Sequence, residues 1–401
     1  MSEVAWFAPG RIEVLGKHTD YVGGNTLVCA IDRGITVRVR QSPEPGVLAR
    51  SDASPDALRI IPGKPAEFAP GHWGRYVATA ANRLFENFGE LADVQLEITS
   101  TLPLASGMSS SSALIVAVSL ALIDFNGFRS LPQWEANIKS KLDLACYLAA
   151  IERGDSYRGL PGNRGVGTLS GSEDHLAMIC SAPNELTMLN FNPPALVESV
   201  TFPAGYAFVI LVSGVLAEKT GKALEAYNRV SGSTQELVAS WGRATGASLP
   251  NLASVLDSAP NAAPKLMELA EEMGDYYVAR LRHFLAESYV IVPEAVEVLA
   301  NGSLDYFGKL VGVSQNRAEL LLGNQIPETS FLATEAYRMG AVAASAFGAG
   351  FGGSVWALVP SEDAEGFGAG WLASYLHKFP QHAEAASFLT TRPSAPARRL
   401  A

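Results

Sequence analysis

Four consecutive serines, Ser109–Ser112, follow Gly107-Met108 and run directly into Ala113–Ile123, where Ser119 is the single polar residue. The apolar stretch reads as a helix over Ser112–Asp124, which puts the serines at its N-terminal entrance. The first-turn N–H groups of a helix lack intrahelical partners, and the helix dipole adds to their pull on anions. Small residues let phosphate oxygens reach the backbone, and serine hydroxyls donate to them or ligate Mg2+. Serines at a helix start also serve as plain N-cap residues, so this segment alone leaves both roles open. The apolar run is too short for a bilayer, which takes about 20 residues.

The rest of the 401-residue chain suits a globular protein of two or three domains, with 48% hydrophobic and 17% charged residues. A formal net charge of −10 argues against nucleic-acid binding and against anionic membranes, while leaving room for a local basic pocket. Cys29, Cys146 and Cys180 show no C-x-x-C spacing, so neither a disulfide framework nor a zinc site is expected. Scattered thiols fit a reducing cytosol. The start, MSEVAWFAPGR, has no signal-peptide pattern. The expectation is a soluble, cytoplasmic protein, monomeric or homodimeric.

Ile35–Arg40 (ITVRVR) alternates apolar and basic residues, as a half-buried strand does. Gln41–Pro70 reads as turns and short strands. Helical spacing covers Trp73–Phe88, Val94–Ile98 alternates as a strand, and a further helix covers Trp134–Arg153. Gly154–Ser172 is a glycine-rich loop of the kind that often carries function. Phe208–Val212 is a short apolar strand. Helical patterns dominate Thr220–Phe347, followed by Gly348–Gly353 (GAGFGG), a strand over Ser354–Val359 and a loose tail, RPSAPARRLA. This order predicts an α+β protein of two lobes, residues 1–195 and 196–401, divided near Asn192-Pro193-Pro194.

The GAGFGG segment suits a tight turn or a close backbone approach. Pro9–Gly24 (PGRIEVLGKHTDYVGG) sets Arg11, Lys17, His18 and Asp20 between glycines. A carboxylate and an imidazole two residues apart can bind polyol hydroxyls, and equally can form a solvated turn.

Taken in order, the three segments resemble the GHMP kinase superfamily and, within it, the galactokinase family. PGRIEVLGKHTDYVGG is similar to that family's P-G-R-(V/I)-N-(L/I)-(L/I)-G-E-H-T-D-Y-x-G-G. LPLASGMSSSSAL is similar to L-P-x-G-(A/S)-G-L-S-S-S-A, and FGAGFGGSVWALV to G-G-G-F-G-G-(C/S). Trp73-Gly74-Arg75-Tyr76-Val77 resembles its W-x-x-Y-V helix. The resemblance implies a ribosomal-S5-like N-terminal lobe, a ferredoxin-like C-terminal lobe, and ATP-dependent phosphorylation of a sugar at its anomeric hydroxyl. Small-molecule sugar and ATP would be the partners, with Mg2+ as cofactor. Trp73, Ser106, Gly107, Ser109, Ser110, Ser111 and Ser112 would bind the nucleotide. Ser111 and Glu152 would hold Mg2+. Asp174, in Glu173-Asp174-His175, resembles the catalytic aspartate of the family's M-D-Q, with Arg11 beside it. His18, Asp20 and Tyr227 would contact the sugar.

A carboxylate beside a guanidinium is a weak base, so Asp174 would orient the hydroxyl or take its proton late. Lys17 stands where the family has Glu, and Glu13 where it has Asn. An ammonium only donates, so Lys17 suggests a sugar with a carboxylate, such as galacturonate. Galactose is the default and arabinose another alternative. Lys17 pairing outward with Glu13 is the plain structural option. Arg153, Arg158 and Arg164 would border the sugar pocket. A non-catalytic sensor that binds ATP and sugar is the competing class; the intact serine run, Arg11 and Asp174 favour catalysis.

Overall fold

The computed structural model describes residues 3–64, 68–69, 71–103, 106–167, 171–215 and 221–401, with 221–226 as backbone only. Leu104 and Ala105 of the serine loop and residues 168–170 of the glycine-rich loop lie outside the described residues.

The first lobe contains β1 (Val4–Leu15), β2 (Asn25–Gln41), β3 (Val47–Ser51), β4 (Ser54–Ile60), α1 (Trp73–Phe88), β5 (Val94–Ser100), α2 (Ser110–Phe125), α3 (Pro132–Asn137), α4 (Lys141–Arg153), α5 (Glu173–Cys180), β6 (Glu185–Phe191) and β7 (Pro194–Thr201). The expected alternation holds within β2: Ile35, Val37 and Val39 are buried while Arg38 and Arg40 are exposed. All residues from Ser112 to Ile123 of α2 are buried. A helix apolar on every side belongs in an interior, and α2 packs between the β1–β2 hairpin and helices α1 and α4. That packing fixes where its serine-lined entrance points.

The helix expected over Trp134–Arg153 is two. Ser140 Oγ accepts from the Asp143 N–H at 3.0 Å, and Asp143 Oδ2 accepts from the Lys139 N–H at 3.0 Å. This reciprocal cap starts α4 afresh.

The second lobe contains β8 (Tyr206–Val212), α6 (Gly221–Thr245), α7 (Leu252–Asp257), α8 (Ala262–Met273), α9 (Asp275–Ala286), α10 (Val292–Ala300), α11 (Leu304–Arg317), α12 (Pro327–Arg338), β9 (Ala343–Ala346), β10 (Ser354–Pro360), α13 (Ala364–Lys378) and β11 (Ser387–Thr391). Its antiparallel sheet runs β11-β8-β10-β9. Helices α12 and α13 cover it around Trp371 and Tyr375. A separate core around Trp241, Leu266 and Phe284 joins α6–α9 and takes in Val22 from the first lobe. The mixed α+β architecture is as expected, but β9 interrupts the region expected to be helical. The tail also differs. Arg398–Leu400 forms β12, which pairs with Ala5–Phe7 of β1 and returns the chain to the first sheet, ordered β12-β1-β2-β5-β3-β4 with β6 and β7 attached through β2. A boundary at residue 195 falls inside β7, whose pairing with β6 runs to Thr201.

Candidate active site

Alternate residues of a strand face the same side, so β1 presents Arg11 and Glu13 together. Arg11 is the hub. Its backbone N–H donates to Met108 O at 3.3 Å, and its Nη1 donates to Gly107 O at 2.6 Å. Its Nη2 meets Asp174 Oδ1 at 2.7 Å, and its Nε lies 3.4 Å from Glu173 Oε1. One guanidinium therefore joins β1, the serine loop and the first turn of α5.

Asp174 is held from the serine loop as well. Ser109 Oγ donates to its Oδ2 in a short hydrogen bond, and Ser112 Oγ donates to the same oxygen at 3.2 Å. Ser109 occupies the N-cap position of α2 in a left-handed conformation, φ 59°, and its side chain does not cap the helix. The entrance of α2 therefore keeps an uncapped first turn built from Ser110, Ser111 and Ser112. Ser106 is buried, and its carbonyl accepts from Ser354 Oγ of β10 at 2.6 Å, tying the loop to the second lobe.

The turn after β1 supplies His18 and Asp20. His18 is a non-glycine residue at φ 56°, a conformation that persists only where surroundings enforce it. Its carbonyl accepts from buried Arg280 at 2.6 Å. Its Nδ1 sits 2.8 Å from Tyr21 Oη, its Nε2 3.3 Å from Ala349 O, and its ring 5.3 Å from that of Tyr227. Arg11, Glu13, His18, Asp20, Glu173, Asp174 and Tyr227 line one cavity of about 50 Å³. Tyr21, Gly171 and the backbone at Gly348 and Ala349 complete it. The cavity shares Asp20, Tyr21 and Gly171 with a larger chamber of about 420 Å³ between the lobes. Together they fall within the roughly 300–1,000 Å³ of small-ligand sites.

Burial and charge set the ionisation here. Burial alone would lower the pKa of Arg11, but Asp174, then Glu173 and Glu13, outweigh it and raise it. Glu13 is pushed up to about 7, chiefly by burial, against the pull of Arg11 and Lys17. Glu173 is raised well above the usual carboxyl range by burial and then by Glu13. Burial, then Asp20, raises Tyr227.

Lys17 is not with these groups. It is 1% exposed, and its Nζ donates to Ser345 Oγ at 2.6 Å and Ser314 Oγ at 3.3 Å in the second lobe. Ser314 Oγ in turn donates to Glu287 Oε1 at 2.9 Å. Lys17 thus neither lines the cavity nor faces outward. The ladder is irregular between Glu13 and Leu15, and Gly16 follows at φ 111°. That irregularity breaks the two-residue alternation and turns Lys17 away from the face that carries Arg11 and Glu13. Of the three loop arginines, Arg153 borders the larger chamber, held by Asp155 at 2.7 Å. Arg158 is engaged by Asp143, and Arg164 lines a different cavity with Arg75.

Glu152 is buried on α4, and its Oε2 lies 3.1 Å from His175 Nε2 without hydrogen-bond geometry. Ser111 is half-buried on α2. Trp73 opens α1, with its Nε1 buried and lacking a hydrogen-bond partner. Reading by residue type missed Glu173, Tyr21 and Arg280. By sequence Glu13 stands out only as a departure and as an outward partner for Lys17, although strand alternation sets it beside Arg11.

Three family profiles match in chain order. They are the galactokinase galactose-binding signature at residues 1–41, the GHMP kinases N terminal domain at 75–159 and the GHMP kinases C terminal at 295–376. A galactokinase of Mycobacterium tuberculosis is 28% identical over 364 residues, covering 90% of each chain. One of Pyrococcus furiosus is 23% identical over 394 residues, covering 98% of this chain and 99% of its own. Among solved structures, Lactococcus lactis galactokinase complexed with galactose superposes with a TM-score of 0.80 at 22% identity, covering 100% of this chain and 95% of that one. L. major mevalonate kinase in complex with R-mevalonate gives 0.58 at 18% identity, covering 97% and 96%.

Proposed function

We propose, from the premise that the chain belongs to the galactokinase family of the GHMP kinases, that it transfers the terminal phosphoryl group of ATP to the anomeric hydroxyl of galactose or a related neutral sugar. The observation that carries this reading is Arg11, one guanidinium that holds Asp174 against a serine-lined helix entrance. Phosphoryl transfer asks mainly for alignment and charge neutralisation. ATP phosphates would lie on the uncapped first turn of α2, with Ser106, Gly107, Ser109, Ser110, Ser111 and Ser112 around them. Trp73 would pack against the nucleotide. Asp174 would accept a hydrogen bond from the attacking hydroxyl and take its proton as the new P–O bond forms, with Arg11 offsetting the charge. His18, Asp20 and Tyr227 would hold the rest of the ring.

Glu152 has a buried oxygen without a hydrogen-bond partner. A hard oxygen of this kind suits Mg2+, so Ser111 and Glu152 are the residues that would hold the ion. Bound there, Mg2+ would supply charge neutralisation at the phosphates.

Four carboxyl groups, Glu13, Asp20, Glu173 and Asp174, line the cavity against a single guanidinium among the described residues. This wall favours a neutral polyol over a uronic acid. A coupled ADP-release assay across about twenty sugars and uronic acids tests the reading. ADP should appear with galactose and not with galacturonate. Sugar binding with no ADP release would make the chain a sensor, and release with galacturonate alone would reverse the choice of substrate.

A further inference from the structure

We infer that Glu13 and Glu173 act as a carboxyl pair that grips one hydroxyl of the neutral sugar, through oxygens that neither residue satisfies within the protein. The inference rests on the sugar-kinase reading and adds a specificity element to it. The two residues come from different elements, β1 and the first turn of α5, and both line the cavity beside Asp174. They are 7% and 4% exposed, and Oε1 of each is buried without a hydrogen-bond partner. Buried polar atoms are almost always paired, so two orphaned oxygens in one cavity point to a ligand that completes them. Arg11 Nε, at 3.4 Å from Glu173 Oε1, lies off the angle of a hydrogen bond.

The second lobe holds Glu13 in place. A Cβ at Gly348 would fall 2.1 Å from Glu13 Oε2 and 2.2 Å from Oε1, so the backbone of the GAGFGG loop rests directly on the carboxyl group. In the resemblance drawn above, both carboxyls stand where the family has Asn and Met, and the family's acidic side chain at position 17 is replaced by lysine.

The ionisable groups facing the pair are Arg11 from β1; His18, Asp20 and Tyr21 from the turn; Asp174 from α5; and Tyr227 from α6, with Lys17 and Glu287 outside the cavity behind Glu13. Arg11 already serves Asp174 and Gly107 O. Burial raises both carboxyls, Glu13 to about 7, so the pair retains a proton at neutral pH. A protonated carboxyl donates a hydrogen bond to a hydroxyl oxygen while its ionised neighbour accepts one from the same hydroxyl. A sugar carboxylate would instead meet four acidic groups.

The test is calorimetric titration of D-galactose and D-galacturonate into wild type, Glu13→Gln and Glu173→Gln between pH 6 and 9, with steady-state kinetics at saturating ATP. Wild type should bind galactose and not galacturonate, and its affinity should change across this pH range, falling where the pair loses its last proton. Either substitution should weaken galactose binding about tenfold at pH 7, with the loss in KM rather than kcat, and should flatten the pH profile. The two variants probe the pair from separate elements, so misfolding of one leaves the other to report. Should both misfold, the wild-type profile decides, because pH-independent binding overturns the proposal. Unchanged Kd in both folded variants, or a wild type that binds neither sugar, also overturns it. Glu13-dependent binding without ADP release sinks the kinase reading and keeps the pair. ADP release with unchanged KM in both variants does the reverse.

Discussion

Two sets of carboxyl groups share one cavity and are treated differently. Asp174 is held by Arg11 on one oxygen and by Ser109 and Ser112 on the other. Glu13 and Glu173 each bury an oxygen without a hydrogen bond, that of Glu173 meeting Arg11 only in an ion pair at 3.4 Å. The held group has a fixed position, as a group that aligns a reacting hydroxyl needs. The unsatisfied groups carry a desolvation cost of about 1–3 kcal/mol each, which a bound polyol can relieve. The contrast separates a wall built for chemistry from a wall built for recognition.

The sharpest way to break that contrast is Asp174→Asn, which keeps the shape but removes the charge. We expect kcat to fall about a thousandfold, with sugar binding little changed and the melting temperature lowered, because buried Arg11 loses its ion pair. A variant that keeps more than a tenth of wild-type kcat in the ADP-release assay would remove Asp174 from the chemistry.

Glu287 offers a control, because it too buries an oxygen without a partner yet does not line the cavity. Gly16 N–H at 2.8 Å and Ser314 meet its other oxygen, and Lys17 balances its charge through Ser314. Lys17→Met should leave that carboxylate uncompensated and destabilise the fold by about 3–5 kcal/mol, read from urea unfolding. Galactose KM should stay within about twofold at a permissive temperature. A large KM change with normal stability would return Lys17 to the sugar.

Local order was the legible part of the fold. Helix α1 matches its expected limits because helical periodicity is written in adjacent turns, whereas alternation marks only the Ile35–Arg40 end of β2, which begins at Asn25. Strand β12 escaped notice since three residues, Arg398–Leu400, carry no pattern and depend on the distant edge of β1. The break before α4 is readable in Ser140 and Asp143, a capping signal inside what otherwise reads as one helical pattern. At the site, Arg11, Asp174 and the serines do come together across more than 160 residues of sequence. The family position of Lys17 does not reveal where its side chain goes, because a bulge before a left-handed glycine resets which side each residue faces.

Ser109→Ala sharpens the comparison by loosening the held wall without removing its charge. A hydrogen bond to a charged group contributes about 1.5–3 kcal/mol, so kcat should drop about tenfold to a hundredfold while galactose affinity holds. An equal loss in affinity would show that the two walls act as one.

The smallest effect is expected at the strut between lobes. Ser354 Oγ donates to Ser106 O at 2.6 Å, whereas the same loop is anchored twice more by Arg11, at Gly107 O and Met108 O. Ser354→Ala removes one neutral hydrogen bond of about 0.5–1.5 kcal/mol and leaves both Arg11 anchors in place. The serine loop should then keep its hold on Asp174 but grip phosphates less firmly. Initial rates with ATP varied at saturating galactose should show a rise of about threefold in KM for ATP, with kcat and galactose KM unchanged. A kcat loss as large as that of Ser109→Ala would mean that the second lobe, as much as the guanidinium, sets the geometry of the held wall. The boundary between chemistry and recognition would then run between the lobes rather than across the cavity.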